Sequence, residues 1–398
     1  MKSKNLLVTI VFLGVILFSV SMAMARVTGP CNNCHTMHAS QTPWPDGSEV
    51  DEPDWGNPSN LPKPALLVGD CVGCHSATTG VTKTLGTSTV PVVWTTGGPS
   101  YTTTGLVAGV GEVLAGGNFY WAALGSGDAK GHNVQDEGIG TTGFTDPPGY
   151  KYDYPLPARP DSWDMAKFSC GGTYGCHGDP SVEGSAAGIS GAHHGDDTCL
   201  KLDTYNDAEA GSSVAKSYRF LLGIKGIEDP DWEENASPTG GSNHNVYKGE
   251  DRTTDARSDT STISYLCAEC HGDFHGGTGD LGMDNPDANI GAPWLRHPTD
   301  YDMGNVKTKE YGGYGAPGTS DHTYSTIAPV AWVTLSASMT ITPVTFSDDT
   351  VVTCISCHRA HGTPNDDILR WDYSLMDAGS DLDPRNNVGG CFICHTTK

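Results

Sequence analysis

Cys-x-x-Cys-His occurs five times in this chain: Cys31, Cys34 and His35; Cys71, Cys74 and His75; Cys267, Cys270 and His271; Cys354, Cys357 and His358; Cys391, Cys394 and His395. The pentapeptide is the attachment site of c-type haem. Two intervening residues put both sulfurs on one helical turn, where they add across the porphyrin vinyl groups. The next residue then lies under the ring with its imidazole on the iron. Zinc ribbons instead pair one Cys-x-x-Cys with another, whereas here each pair carries its own histidine. Five such motifs in one chain read as a multihaem cytochrome.

A sixth site departs from the pattern. Cys170 and Cys176 are separated by five residues, three of them glycine, and His177 follows Cys176 directly. One reading attaches a sixth haem here, with the glycines letting the loop bulge. The other uses Cys199, the cysteine left outside every pair, in a Cys170–Cys199 disulfide. Cysteine parity does not choose between them. The expectation is haem c, five by regular motif and a sixth on Cys170, Cys176 and His177.

The chain opens like an exported protein. Lys2 and Lys4 precede an apolar run from Leu6 to Val20, and Ala23-Met24-Ala25 is a small-residue cleavage site. The run is short for a bilayer span of about 20 residues. Residues 1–25 therefore read as a cleaved signal peptide and 26–398 as a single multihaem domain, with no transmembrane span after cleavage. The net charge of −24 repels nucleic acid and anionic lipid. An extracellular or cell-surface location fits, with the periplasm as the alternative.

With 51 Gly and 25 Pro, long regular elements are excluded. The expected fold is mostly coil, with short α-helices and minor β, around a core of stacked haems. Ser213–Leu222 is the best remaining helix candidate. Two Thr/Val-rich stretches, Val81–Val113 and Ile327–Phe346, read as strands able to pair with each other.

What completes each iron separates carrier from enzyme, because substrates bind at an open position. Nine histidines follow no cysteine: His38, His132, His193, His194, His244, His275, His297, His322 and His361. That is enough to give every haem a second imidazole. His132, His244 and His297 sit in polar turn contexts able to reach over a ring, and the His193-His194 pair reads as a bridge between neighbouring haems. For His275 and His322 a solvated side chain is as good a reading. His38 and His361 each lie three residues beyond a motif histidine, so on a helix both rings of the pair share one face. Two ligands of one iron approach from opposite sides, so each serves a different haem from its neighbour, or none.

The stretches Cys31-Asn-Asn-Cys-His-Thr-Met-His38, Cys354-Ile-Ser-Cys-His-Arg-Ala-His361 and Cys391-Phe-Ile-Cys-His395 resemble the extracellular multihaem c-type cytochromes of metal-reducing bacteria that polymerise into filaments, the outer-membrane cytochrome S and cytochrome E types. The resemblance implies a head-to-tail homopolymer with a continuous haem chain for extracellular electron transfer. It also implies that His38 ligates an adjacent subunit's haem, on Cys354, Cys357 and His358. Competing readings are a monomeric periplasmic carrier and a multihaem reductase. No Cys-x-x-Cys-Lys motif marks an open iron, so no catalytic residue is assigned.

Overall fold

Short elements follow from the glycine and proline content, and among the described residues the longest helix has six residues. The computed structural model describes residues 31, 35, 66–67, 70–86, 88–102, 111–140, 143–150, 159–160, 162–191, 194, 210–229, 232, 244–252, 259–274, 299–300, 302–306, 314, 324–336, 344, 349–376 and 390–394. The signal segment and the expectations for Cys34, His38, His193, Cys199, His275, His297, His322 and His395 lie outside the described residues.

Helix α1 is the second motif itself, Cys71–His75. Its N-cap residue, Asp70, makes no side-chain capping bond to the backbone of the first turn. The Glu137 carboxylate accepts the free N–H groups of Cys71 at 2.9 Å and Val72 at 3.4 Å instead. Strands β1 (Ser76–Ala77), β2 (Thr82–Leu85), β3 (Ser88–Pro91) and β4 (Trp94–Thr95) follow. β1 pairs with β4 in parallel, and β2 with β3 as an antiparallel hairpin. Two short helices come next, α2 (Tyr120–Ala123) and α3 (Ser185–Gly188).

Beyond these, β5 (Gly226–Ile227), β6 (Val246–Lys248), β7 (Ala331–Trp332) and β8 (Thr350–Val351) form a four-stranded sheet in chain order, with β6 and β7 parallel. Helix α4 (Ile263–Ala268) starts at Thr262, whose hydroxyl accepts the Tyr265 N–H, and carries Cys267 in its last turn. Helix α5 (Cys354–Cys357) has a capping box in which Thr353 and Ser356 each accept the other's backbone N–H.

Two sequence expectations change. Ser213–Leu222 makes two 3-10 turns, Val214–Lys216 and Tyr218–Phe220, rather than an α-helix. Arg219 and Phe220 hold positive φ values of 48° and 58° there, which no α-helix contains. Among the described residues the two Thr/Val-rich stretches do not pair with each other. The first folds back on itself as β2–β3, a local contact needing little loop closure, while β7 of the second lies between β6 and β8. Among the described residues no helix is long and apolar enough to cross a membrane.

Buried side chains gather in three clusters, and each packs against motif cysteines. Met303, Tyr314, Trp332 and Ile393 lie in the group that holds Cys357, Cys391 and Cys394. Phe119, Trp163 and Phe168 pack near Cys170 and Cys270, and Tyr218, Ile263 and Val351 near Cys176.

Candidate haem-binding centre

One backbone bond recurs across the attachment motifs. The histidine N–H donates to the first cysteine's carbonyl in Cys31–His35 at 2.8 Å, Cys267–His271 at 2.9 Å and Cys354–His358 at 3.1 Å. This one-turn closure sets the imidazole beneath the plane spanned by the two sulfurs. The expanded motif makes the same bond. His177 N–H donates to Cys170 O at 3.0 Å, and Cys176 N–H to the same oxygen at 3.1 Å. The second-cysteine bond has its counterpart in Cys270 to Cys267 and Cys394 to Cys391, both at 3.2 Å. The extra residues are looped out without displacing either end. A Cβ at Gly175 would lie 2.6 Å from the Ser169 carbonyl oxygen, so glycine is required there.

The motif sulfurs meet in chain order. Cys170 bonds Cys71, Cys267 bonds Cys354, and Cys270 lies beside Cys176. Cys357 is in turn next to Cys391 and Cys394. The second to sixth attachment sites therefore form one unbroken sequence of neighbours. Burial pushes the thiols of Cys270 and Cys357 up to about 12. Cys71, Cys170 and Glu137 do converge, but the two sulfurs are the first cysteines of two motifs and the carboxylate caps α1.

Three motif histidines each face a histidine from outside any motif. The ring centroids of His75 and His194 are 6.2 Å apart, those of His177 and His361 6.3 Å, and those of His271 and His132 6.1 Å. Two metal–nitrogen bonds of about 2.0 Å, with about 1.15 Å from each ligating nitrogen to its ring centre, give a separation of about 6.3 Å. The spacing is that of two imidazoles on one iron. These residues fit haem in the second, third and fourth sites.

The tautomers fit as well. Nδ1 of His75 lies 2.9 Å from the Pro91 carbonyl oxygen, that of His177 3.0 Å from Arg219 O, and that of His271 2.7 Å from Pro148 O. Nδ1 of His358 is 2.8 Å from Asp367 O, and that of His132 bonds Ala360 O. A carbonyl only accepts, so each Nδ1 carries the hydrogen and Nε2 keeps its lone pair for iron. Burial lowers the pKa of His75, His132 and His177. His361 is pushed down to about 3, by burial first and then by His177. Neutral rings are what a metal requires.

The distal rings are held by packing. Phe119 lies 4.7 Å from the His361 ring, and Gly116 O accepts the His361 N–H at 2.6 Å. A Cβ at Gly116 would come within 2.7 Å of His361 Nδ1. His194 stacks on Phe220 at 5.0 Å.

The His361 ring lies against His177 and not against His358, though no helical turn places it there. Helix α5 ends at Cys357, and His358 is extended, with φ −114° and ψ 159°. His244 is not in a polar turn. It is 2% exposed, and its ring packs edge-on at 4.5 Å against Tyr324, in the cluster that contains Ile393. Among the described residues no imidazole faces His358. The roles of Glu137, Gly116, Phe119 and Arg159 escaped the sequence reading. None is near a motif in the chain, and no local signal marks them.

No family model matches the chain, and no curated protein does. Among solved structures it is similar to an outer membrane cytochrome S filament from Geobacter sulfurreducens. That likeness has 19% identity over 95% of each chain and a TM-score of 0.40. It is also similar to a cryo-EM structure of the OmcS nanowires from the same organism. There the identity is 18%, over 95% of this chain and 92% of the other, with a TM-score of 0.40.

Proposed function

We propose that the protein is an exported multihaem c-type cytochrome that passes electrons along six covalently attached haems and polymerises head to tail into an extracellular filament. The carrying observation is the three facing imidazole pairs at 6.1–6.3 Å, each joining one motif histidine to one non-motif histidine. Haem iron supplies one-electron chemistry when bound. The chain's own part is to fill both axial positions with neutral imidazoles, fix their tautomers through backbone carbonyls, and line up successive attachment sites through neighbouring sulfurs. Two strong nitrogen ligands leave no position for a substrate, which favours electron transfer over a reductase.

The sixth haem is assigned to Cys170, Cys176 and His177, supported by the shared His-to-first-Cys bond. His244 is assigned to the haem on Cys391, Cys394 and His395, with whose cysteines its aromatic neighbour shares a cluster. The iron above His358 is assigned to His38 of the next subunit, a heterologous contact that does not close on itself. Three of the remaining non-motif histidines named from sequence, His132, His194 and His361, already face partners within the chain.

Intact mass of the purified protein counts the haems, and negative-stain microscopy separates polymer from monomer. His38→Ala is expected to abolish filaments and keep six haems, with one iron becoming high-spin. Strictly monomeric wild-type particles with every iron low-spin would leave a monomeric periplasmic carrier instead.

A further inference from the structure

An expanded attachment motif has a physical problem that the regular one lacks. Three additional peptide units must be folded away, and their carbonyls must find donors in a buried place. The loop is also glycine-rich, so its unfolded form has high conformational entropy to lose. Something outside the loop has to hold it closed.

The geometry points to Arg159 as the residue that shapes the Cys170–Cys176 loop for haem attachment and fixes it to the fourth motif. Its Nη1 donates to the carbonyl oxygens of Gly175 at 2.6 Å, Thr173 at 3.1 Å and Gly172 at 3.4 Å. The other edge of the same guanidinium donates to Glu269 Oε2, from Nε at 2.8 Å and from Nη2 at 2.5 Å. Glu269 lies between Cys267 and Cys270. The two side chains are 4% and 13% exposed, so the pair is withdrawn from water. A buried charge is tolerated only with all its partners in place. Here those partners are the looped-out carbonyls on one side and the neighbouring motif on the other. Lysine, with a compact ammonium and no fork, cannot reach both sides. Arg159 is thus a positioning residue. It touches neither sulfur, yet it holds Cys170 and Cys176 on the same carbonyl-closed turn that a regular motif forms unaided.

This inference rests on the proposal that the third motif carries haem. The test uses the full-length protein matured with its haems. Purified protein is alkylated under denaturing conditions, and each motif cysteine is scored by peptide mass mapping as thioether or free thiol. Arg159→Gln is made together with Glu269→Gln, so that no carboxylate is left buried alone. Cys170 is expected to change from fully linked to alkylated in most molecules, with the five regular motifs still linked. Glu269→Gln alone keeps an amide oxygen able to accept from Nε and Nη2 and leaves Nη1 on the three carbonyls, so it is expected to keep Cys170 linked at some cost in stability. Deleting Gly172–Tyr174 in the double variant creates Cys-Gly-Gly-Cys-His, which needs no clamp, and is expected to restore the linkage. The inference is overturned if the double variant stays fully linked at Cys170. Should the double variant fail to accumulate, the shortened version decides. Recovery with all haems supports the loop role, and equal failure overturns it. A free Cys170 in the wild-type protein is a separate result, which overturns this inference and leaves the third site with haem on Cys176 by one thioether or with none.

Discussion

Two regions of the molecule reach cohesion by different routes. In the first, around His75, His177 and His271, side chains from distant parts of the chain face each other in pairs across gaps the width of a haem iron and its bonds. In the second, around β5–β8, the polypeptide fills its own interior. Tyr324 stacks on Trp332 at 5.9 Å, and Tyr314 donates its hydroxyl to Ala328 O at 2.7 Å. The first region is organised around facing imidazoles, and the second packs an apolar cluster of its own against Cys357, Cys391 and Cys394. A ligand change in the first should therefore alter the iron, whereas a core change in the second should act first on stability.

His361→Ala is the sharpest way to break that contrast. It removes the ring facing His177, so about one haem in six should turn high-spin and bind carbon monoxide. Magnetic circular dichroism or electron paramagnetic resonance would read this, and an unchanged low-spin spectrum would mean that His177 has another partner. In the second region, Trp332→Ala removes a ring that is 4% exposed. It should cost about 3–5 kcal/mol in denaturant unfolding, as large-to-small core changes do, with no new high-spin signal.

Acid should act on the first region. An unfolded imidazole protonates below about 6.5, while the folded His361 stays neutral down to about 3. Across that window the unfolded chain binds the proton and the folded chain does not. Stability should therefore fall as pH drops from 6.5 towards 3 and stay level above 6.5 with respect to this group. A titration followed by the low-spin Soret band checks it. The smallest expected effect is at the boundary between the regions. Thr353→Ala removes the capping box of α5 and should cost about 1 kcal/mol, seen as a lower denaturation midpoint with all haems still attached.

The attachment sites were legible in the sequence because their geometry is local. A histidine that bonds back to a cysteine one turn earlier needs nothing from the rest of the fold, so spacing alone names the residues. That His361 does not turn towards the partner of His358 was legible too, since its ring lies against His177, although the helical turn assumed for it ends at Cys357. The expanded motif was only half legible. Cys176 and His177 stand adjacent in the sequence, but whether Cys170 returns to them depended on a loop closed from outside by Arg159.

The amino-acid order by itself determined where the Cys-His motifs lie and that the helices among the described residues are short, since motif spacing and glycine and proline content act over a few residues. Only the tertiary structure decided that His132 meets His271, that His194 meets His75, and that His244 is buried beside Tyr324. Those pairings join segments far apart in the chain. What brings them together is the packing of aromatic and glycine contacts such as Phe119, Phe220 and Gly116, and no spacing rule written along the chain encodes such contacts.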